Sequence, residues 1–217
     1  MTSATPPGSD PLAPLRSRSF LAEVRRKAIH LSFLLLPLEL LYPMLPWPRS
    51  RGEFRTVFLL LVVVAIAADL LRLHEPRIRN FIRQFFGEMI REHEKLSLLG
   101  STYLLLAALL AIEIFSQPVA AAAIGFTVVG DTFAAIVGTA YGRTRVFRKS
   151  LEGFLGGLAA CLAWASFLAL AGHLPWGVAI AGALVASAVE LLPIPLDDNL
   201  GMTLFSGYAM KLLMPHP

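Results

Sequence analysis

The chain has 217 residues, 56% of them hydrophobic and 16% charged, with a net charge of +4 and a mean hydropathy of +0.65. Soluble domains carry about 25% charge and about 45–50% apolar residues, so this composition excludes a soluble globular enzyme and a disordered chain. Cys161 is the single cysteine, which excludes a disulfide scaffold. The long apolar runs point to an all-α, polytopic membrane protein.

Residues 1–19 hold Pro6, Pro7, Pro11 and Pro14 among Gly and Ser, and read as a disordered tail. No apolar core with a small-residue cleavage site follows, so no removable signal peptide is expected. Seven transmembrane helices are expected at 27–45, 54–73, 96–115, 118–141, 152–172, 176–192 and 200–214, the fourth interrupted at Gly130-Asp131. They use roughly 140 residues at about 20 each, which leaves 20–217 as a single transmembrane domain. Between the second and third, 75–92 sets Ile78, Phe81, Ile82, Phe85, Phe86, Met89 and Ile90 at helical spacing, with Arg77, Arg79, Arg83 and Arg91 largely opposite. This is an interfacial amphipathic helix, or equally a peripheral anchor with no part in chemistry. The N-terminal segment and the loops after spans two and four hold 15 of the 19 Lys and Arg residues. That bias places the N-terminus and these loops in the cytoplasm and the C-terminus outside, with Trp47 and Trp176 as anchors at the far interface.

Ionisable groups within a bilayer are costly and mark function by default. Here they gather on one side. Glu23, Arg26, Lys27 and His30 share a face at the start of span one, and Asp69 and Arg72 end span two. Glu94, Ser101 and Thr102 open span three, and Asp131 sits in the cytoplasmic half of span four. Lys149, Ser150 and Glu152 open span five, and Glu190 closes span six just before Asp197, Asp198 and Asn199. Glu39 and Glu113 lie toward the other face. A polar site open to the cytoplasm accounts for this distribution.

Three clusters suggest chemistry, each with a plainer alternative. Gly130-Asp131, Ala134, Gly138 and Gly142 form a stripe that admits a ligand or another backbone; alternatively it is a packing seam. Residues 143–153 run from Arg143 and Arg145 through Lys149-Ser150 into a helix start, a place where free N–H groups favour a phosphate. Alternatively they carry positive-inside charge, with Ser150 a simple cap. No glycine precedes Lys149, so this is not a Walker A loop. Asp197-Asp198-Asn199 offers hard oxygens of the kind Mg²⁺ takes beside nucleotide phosphates, or a polar turn in which Asn199 caps the last helix. The chain has no His-Glu-x-x-His, Gly-x-Ser-x-Gly or dinucleotide fingerprint.

In combination, these residues resemble the CTP-dependent polyprenol and isoprenoid-alcohol kinases. That group includes dolichol kinase, phytol kinase and the yeast-type CTP-dependent diacylglycerol kinase, and is related to phosphatidate cytidylyltransferase. The resemblance runs from Glu23-x-x-Arg26-Lys27-x-x-His30 through Arg91-x-x-Glu94 and Gly100-x-Thr102-Tyr103. It continues in the central block, Gly130-Asp131 to Gly142 with Lys149-Ser150-x-Glu152-Gly153, and ends at Glu190 and Asp197-Asp198-Asn199-Leu200. The central block is similar to the segment assigned to CTP binding in dolichol kinases. The cytidylyltransferase signature, a Lys-Asp pair with a Gly-Gly-x-x-Asp-Arg end, is missing. So are the extra N-terminal spans of dolichol kinases, which makes phytol-kinase and diacylglycerol-kinase members the better likeness.

The resemblance implies transfer of the CTP γ-phosphate to a lipid hydroxyl with Mg²⁺. Phosphoryl transfer needs positioning and charge neutralisation above all. The expected metal set is Asp131, Asp197, Asp198 and Asn199. The nucleotide set is Gly138, Gly142, Arg143, Arg145, Lys149, Ser150 and Gly153. Catalytic roles are expected of Asp131 or His30 as base, with Lys149 and Glu152; Arg26, Lys27, Glu94, Thr102 and Glu190 support them. The expected partners are CTP, a lipid alcohol and membrane lipids, with no nucleic acid or protein partner, in a bacterial inner membrane with the site cytoplasmic. A CDP-lipid synthase and a membrane transporter stay open as alternatives.

Overall fold

The computed structural model describes residues 18–86 and 96–214. The chain is mostly helical. The first helix, α1 (Arg18–Ser32), stops short and α2 (Leu35–Leu41) resumes after a break. Pro37 has no N–H for the Phe33 carbonyl and its ring crowds that group. The chain tightens there, with Phe33 N–H bonded to His30 O at 3.1 Å and Leu36 N–H to Phe33 O at 3.0 Å. The expected continuous span at 27–45 is thus a broken pair that begins earlier.

Helix α3 (Arg51–His74) starts at a reciprocal cap, Ser50 Oγ accepting from Glu53 N–H at 3.2 Å and Glu53 Oε2 from Ser50 N–H at 2.8 Å. Helix α4 (Pro76–Phe86) follows with proline in its first turn. Arg77, Arg79 and Phe81 are exposed, and Ile78 and Ile82 half-buried; Met89, Ile90, Arg91 and Glu94 lie outside the described residues. Helix α5 (Gly100–Ile114) is shorter than the expected 96–115. Helix α6 (Gln117–Tyr141) runs unbroken through Gly130-Asp131, which corrects the expected interruption. Gly130 is there for close packing: a Cβ on it would stand 2.7 Å from Cys161 Sγ and 2.8 Å from Met202 Cε.

A two-stranded antiparallel hairpin, β1 (Arg145–Val146) and β2 (Lys149–Ser150), departs from the all-α expectation. It turns through Phe147 at φ 54°. Helices α7 (Leu151–Leu170), α8 (Trp176–Leu191) and α9 (Asp198–Leu213) complete the bundle. Among the described residues three helices, α3, α6 and α7, are long and apolar enough to cross a membrane; α5 and α8 are apolar but shorter.

Helix α6 is the axis, touching α1, α2, α5, α7, α8 and α9. Its small-residue stripe is a packing seam. Gly153 and Gly157 of α7 lie on it so closely that added Cβ atoms would stand 2.8 Å from Ala134 O and 3.0 Å from Gly130 O. Helix α3 packs on α5 and α4 and leaves Leu60, Val63 and Val64 exposed, an apolar surface suited to lipid.

Candidate functional site

The α6–α7 seam opens at one end into a polar cavity of about 500 Å³. Four carboxylates from four helices face it: Glu23 of α1, Asp131 of α6, Glu190 of α8 and Asp198 of α9. The hairpin contributes Arg145, Arg148 and Lys149, and the seam contributes Gly138, Gly142 and Gly153. Gly142 has no room for a side chain, since a Cβ would stand 2.8 Å from Ser150 Oγ.

Two lysines balance these acids. Lys149 Nζ lies 2.9 Å from both Glu190 Oε1 and Asp198 Oδ2 and also donates to the Glu190 carbonyl. Three acceptors match the three ammonium hydrogens. Burial alone would lower the Lys149 pKa; the Glu190 and Asp198 charges outweigh it and hold the group above the usual lysine range. Lys27, 1% exposed, donates to Asp131 Oδ2 behind the wall, and His30 Nε2 stands 3.5 Å from the same oxygen, too far for an ordinary hydrogen bond. Arg26 is bonded to Glu23 on the same helix.

Several expected roles change. Glu152 is not on the cavity wall. Its carboxylate accepts from Arg143 N–H at 3.0 Å and Thr144 N–H at 3.1 Å and closes the hairpin, and Arg143 is likewise not among the residues that line the cavity. The start of α7 is already capped, with Leu151 N–H on Thr144 O at 2.9 Å and Gly153 N–H on Ser150 Oγ at 3.1 Å. An anion there would meet the hairpin cations more than free N–H groups. Asp198 and Asn199 belong to the first turn of α9 rather than to a loop, and Asp197, not Asn199, is the cap. Asp197 Oδ1 accepts from Asn199 N–H at 2.9 Å and Nδ2 at 3.0 Å, and Asp197 is not among the residues that line the cavity. Its burial pushes the Asp197 pKa up, against those bonds.

Among the described residues no three His, Cys, Asp or Glu side chains form a cage that could hold a metal ion. A magnesium ion that arrives with phosphates needs only one or two carboxylates. Asp131 and Asp198 face the cavity, and Asn199 keeps a buried Oδ1 with no hydrogen-bond partner among the described residues. The two cavity carboxylates meet that requirement, with Asn199 next to Asp198 in the chain. Thr102 is bonded elsewhere, to Asp69. Arg148 faces the cavity although sequence reasoning gave it no role; only the two-residue strands reveal that its position matters.

No family model matches the chain, and no solved structure matches it. It is similar to an uncharacterized protein of Rickettsia prowazekii (strain Madrid E), 23% identical over 142 residues, which cover 64% of this chain and 67% of that protein.

Proposed function

We propose that the chain is an integral-membrane lipid kinase that transfers the γ-phosphate of CTP to the hydroxyl of an isoprenoid alcohol or diacylglycerol. The observation that carries this reading is the meeting of four carboxylates and three hairpin cations in one polar cavity at one end of an apolar bundle. A triphosphate needs cations around it, and Arg145, Arg148 and Lys149 supply them without a Gly-rich loop. Bound Mg²⁺ would be held by Asp198 and Asn199 and would neutralise charge between the phosphates. Asp131, positioned by Lys27, accepts the proton of the lipid hydroxyl. Glu190 keeps Lys149 in place.

In this reading the broken pair α1–α2 and helices α3, α5, α6, α7, α8 and α9 are seven crossings of a bacterial inner membrane, and the cavity faces the cytoplasm. The amphipathic helix α4 lies in the interface. The acceptor then reaches the cavity from the bilayer and the nucleotide from water. Labelled CTP offered to the purified protein with Mg²⁺ and a panel of phytol, polyprenol and diacylglycerol tests the proposal. Phosphorylation of one of these supports it; CTP left intact with every alcohol refutes it.

A further inference from the structure

Asp69 and Arg72, on the last turns of α3, do not line the cavity, and the proposed chemistry makes no use of them. Both are buried, at 2% and 3% exposure. Asp69 Oδ1 accepts from Arg72 Nε at 3.0 Å and Nη2 at 2.9 Å, and Oδ2 accepts from Leu99 N–H at 2.8 Å and Thr102 Oγ1 at 2.7 Å. Arg72 Nη2 also donates to Ser97 O at 2.7 Å. A buried ion pair is a poor general stabiliser, because desolvation offsets its attraction. What this one does is local. Leu99, at the N-cap position of α5, has no side-chain oxygen, and Asp69 closes this turn from another helix by holding the Leu99 N–H and the Thr102 hydroxyl.

The same turn of α5 is held from its other side. Asn199 Nδ2 donates to Gly100 O at 3.3 Å while Asn199 is tied to Asp197. Asp198, between them in sequence, reaches Lys149 at 2.9 Å. A polar path therefore runs from α3 through the start of α5 to the start of α9 and ends on the cavity wall.

We infer that Asp69 is a positioning residue for the cavity: it sets the first turn of α5, against which Asn199 registers α9 and with it Asp198. Its effect on turnover rests on the proposed phosphotransfer; its effect on α9 does not. The test is hydrogen exchange on the full chain in lipid nanodiscs, in wild type, Asp69→Asn, Thr102→Val and Asn199→Ala. The turn at 171–175 serves as a reference. Asp69→Asn should speed exchange about tenfold at 99–102 and also at 199–202, with the reference unchanged, the scale of one lost charge-assisted bond. Thr102→Val, which removes one bond and no charge, should act at the same two places more weakly. Asp69→Asn with Asn199→Ala should be no faster at 199–202 than Asn199→Ala alone, because the two act in series. Faster exchange at 99–102 only, equal loosening of the reference turn, or additive effects would overturn the inference. CTP turnover, read separately, should fall about tenfold in Asp69→Asn through kcat more than KM. If the exchange pattern holds and wild type turns over no CTP, the positioning stands and the kinase reading falls.

Discussion

At one end of the bundle Arg51 lays its guanidinium over the carbonyls of Ile112, Glu113 and Phe115, and Lys211 reaches Ile114 O at 3.4 Å. Glu39 accepts from Met44 and Leu45 N–H at 3.0 and 2.9 Å, and Tyr42 meets His173 Nε2 at 2.7 Å. At the other end Lys27 and Lys149 are set against Asp131, Glu190 and Asp198. The first end uses Arg51 and Lys211 to finish a helix terminus, where the dipole and unpaired carbonyls welcome positive charge, and pairs Arg55 with Glu113 at 2.6 Å on the exposed surface. The second holds side chain against side chain around a cavity. Polar residues alone therefore do not mark a site in an apolar bundle; polar residues paired with each other and facing a void do.

The comparison breaks most easily at Lys27. Its loss leaves Asp131 without its ammonium partner in a largely buried place, a cost of about 3 kcal/mol. Lys27→Met should lower the thermal midpoint in detergent more than any change at the opposite end, and Lys27→Met with Asp131→Leu should recover much of it. An unchanged midpoint in the single variant would mean the pair contributes nothing. Next is Asp198→Asn, which should stay folded and inserted but turn over CTP about a hundredfold more slowly, the scale of a lost metal ligand. Normal turnover at limiting Mg²⁺ would dismiss the metal role.

Much of this contrast was legible in the sequence, for particular reasons. The one-sided distribution of charge identifies the cavity end, because apolar segments expose each stray polar residue. Asp131, Lys149, Glu190 and Asp198 could be selected that way, Gly138 and Gly142 from the small-residue stripe, and Gly153 from the run that enters a helix start. The hold of Asp69 on the first turn of α5 could not be read, because it comes from a residue 30 positions earlier. Nor could the hairpin, whose strands have two residues each, too few for an alternating pattern. Glu152 and Asp197 misled for a common reason. A carboxylate beside a helix start serves the backbone as readily as a ligand, and sequence alone does not separate the two.

Lys149→Ala sharpens the comparison with a smaller effect. In the proposed site, removing the ammonium that Glu190 and Asp198 hold at the cavity wall takes away charge opposite the phosphates and should cost about ten- to a hundredfold in apparent CTP affinity or rate. Lys149→Arg should recover only part, since a planar fork does not fit a site built for a point charge. Equal losses on Arg55→Ala, at the far end, would reduce the effect to general charge. The smallest expected change is Arg51→Ala. It should lower stability by about 1 kcal/mol through the α5 terminus and leave CTP turnover as it was. A loss of turnover there would erase the distinction between the two ends. Cysteines introduced near Arg51 and Arg145 should label from opposite sides of the membrane, and labelling from one side would do the same.

The central claim is phosphoryl transfer in the cavity, and the fate of two labels decides it most directly. CTP labelled at the α- or the γ-phosphate is incubated with the protein, Mg²⁺ and the accepted lipid alcohol. The account predicts γ-label in a lipid phosphate and α-label in CDP, with both signals collapsing in Asp198→Asn. Release of γ-label in pyrophosphate, with α-label entering the lipid only when a lipid phosphate replaces the alcohol, would contradict it and make the protein a CDP-lipid synthase.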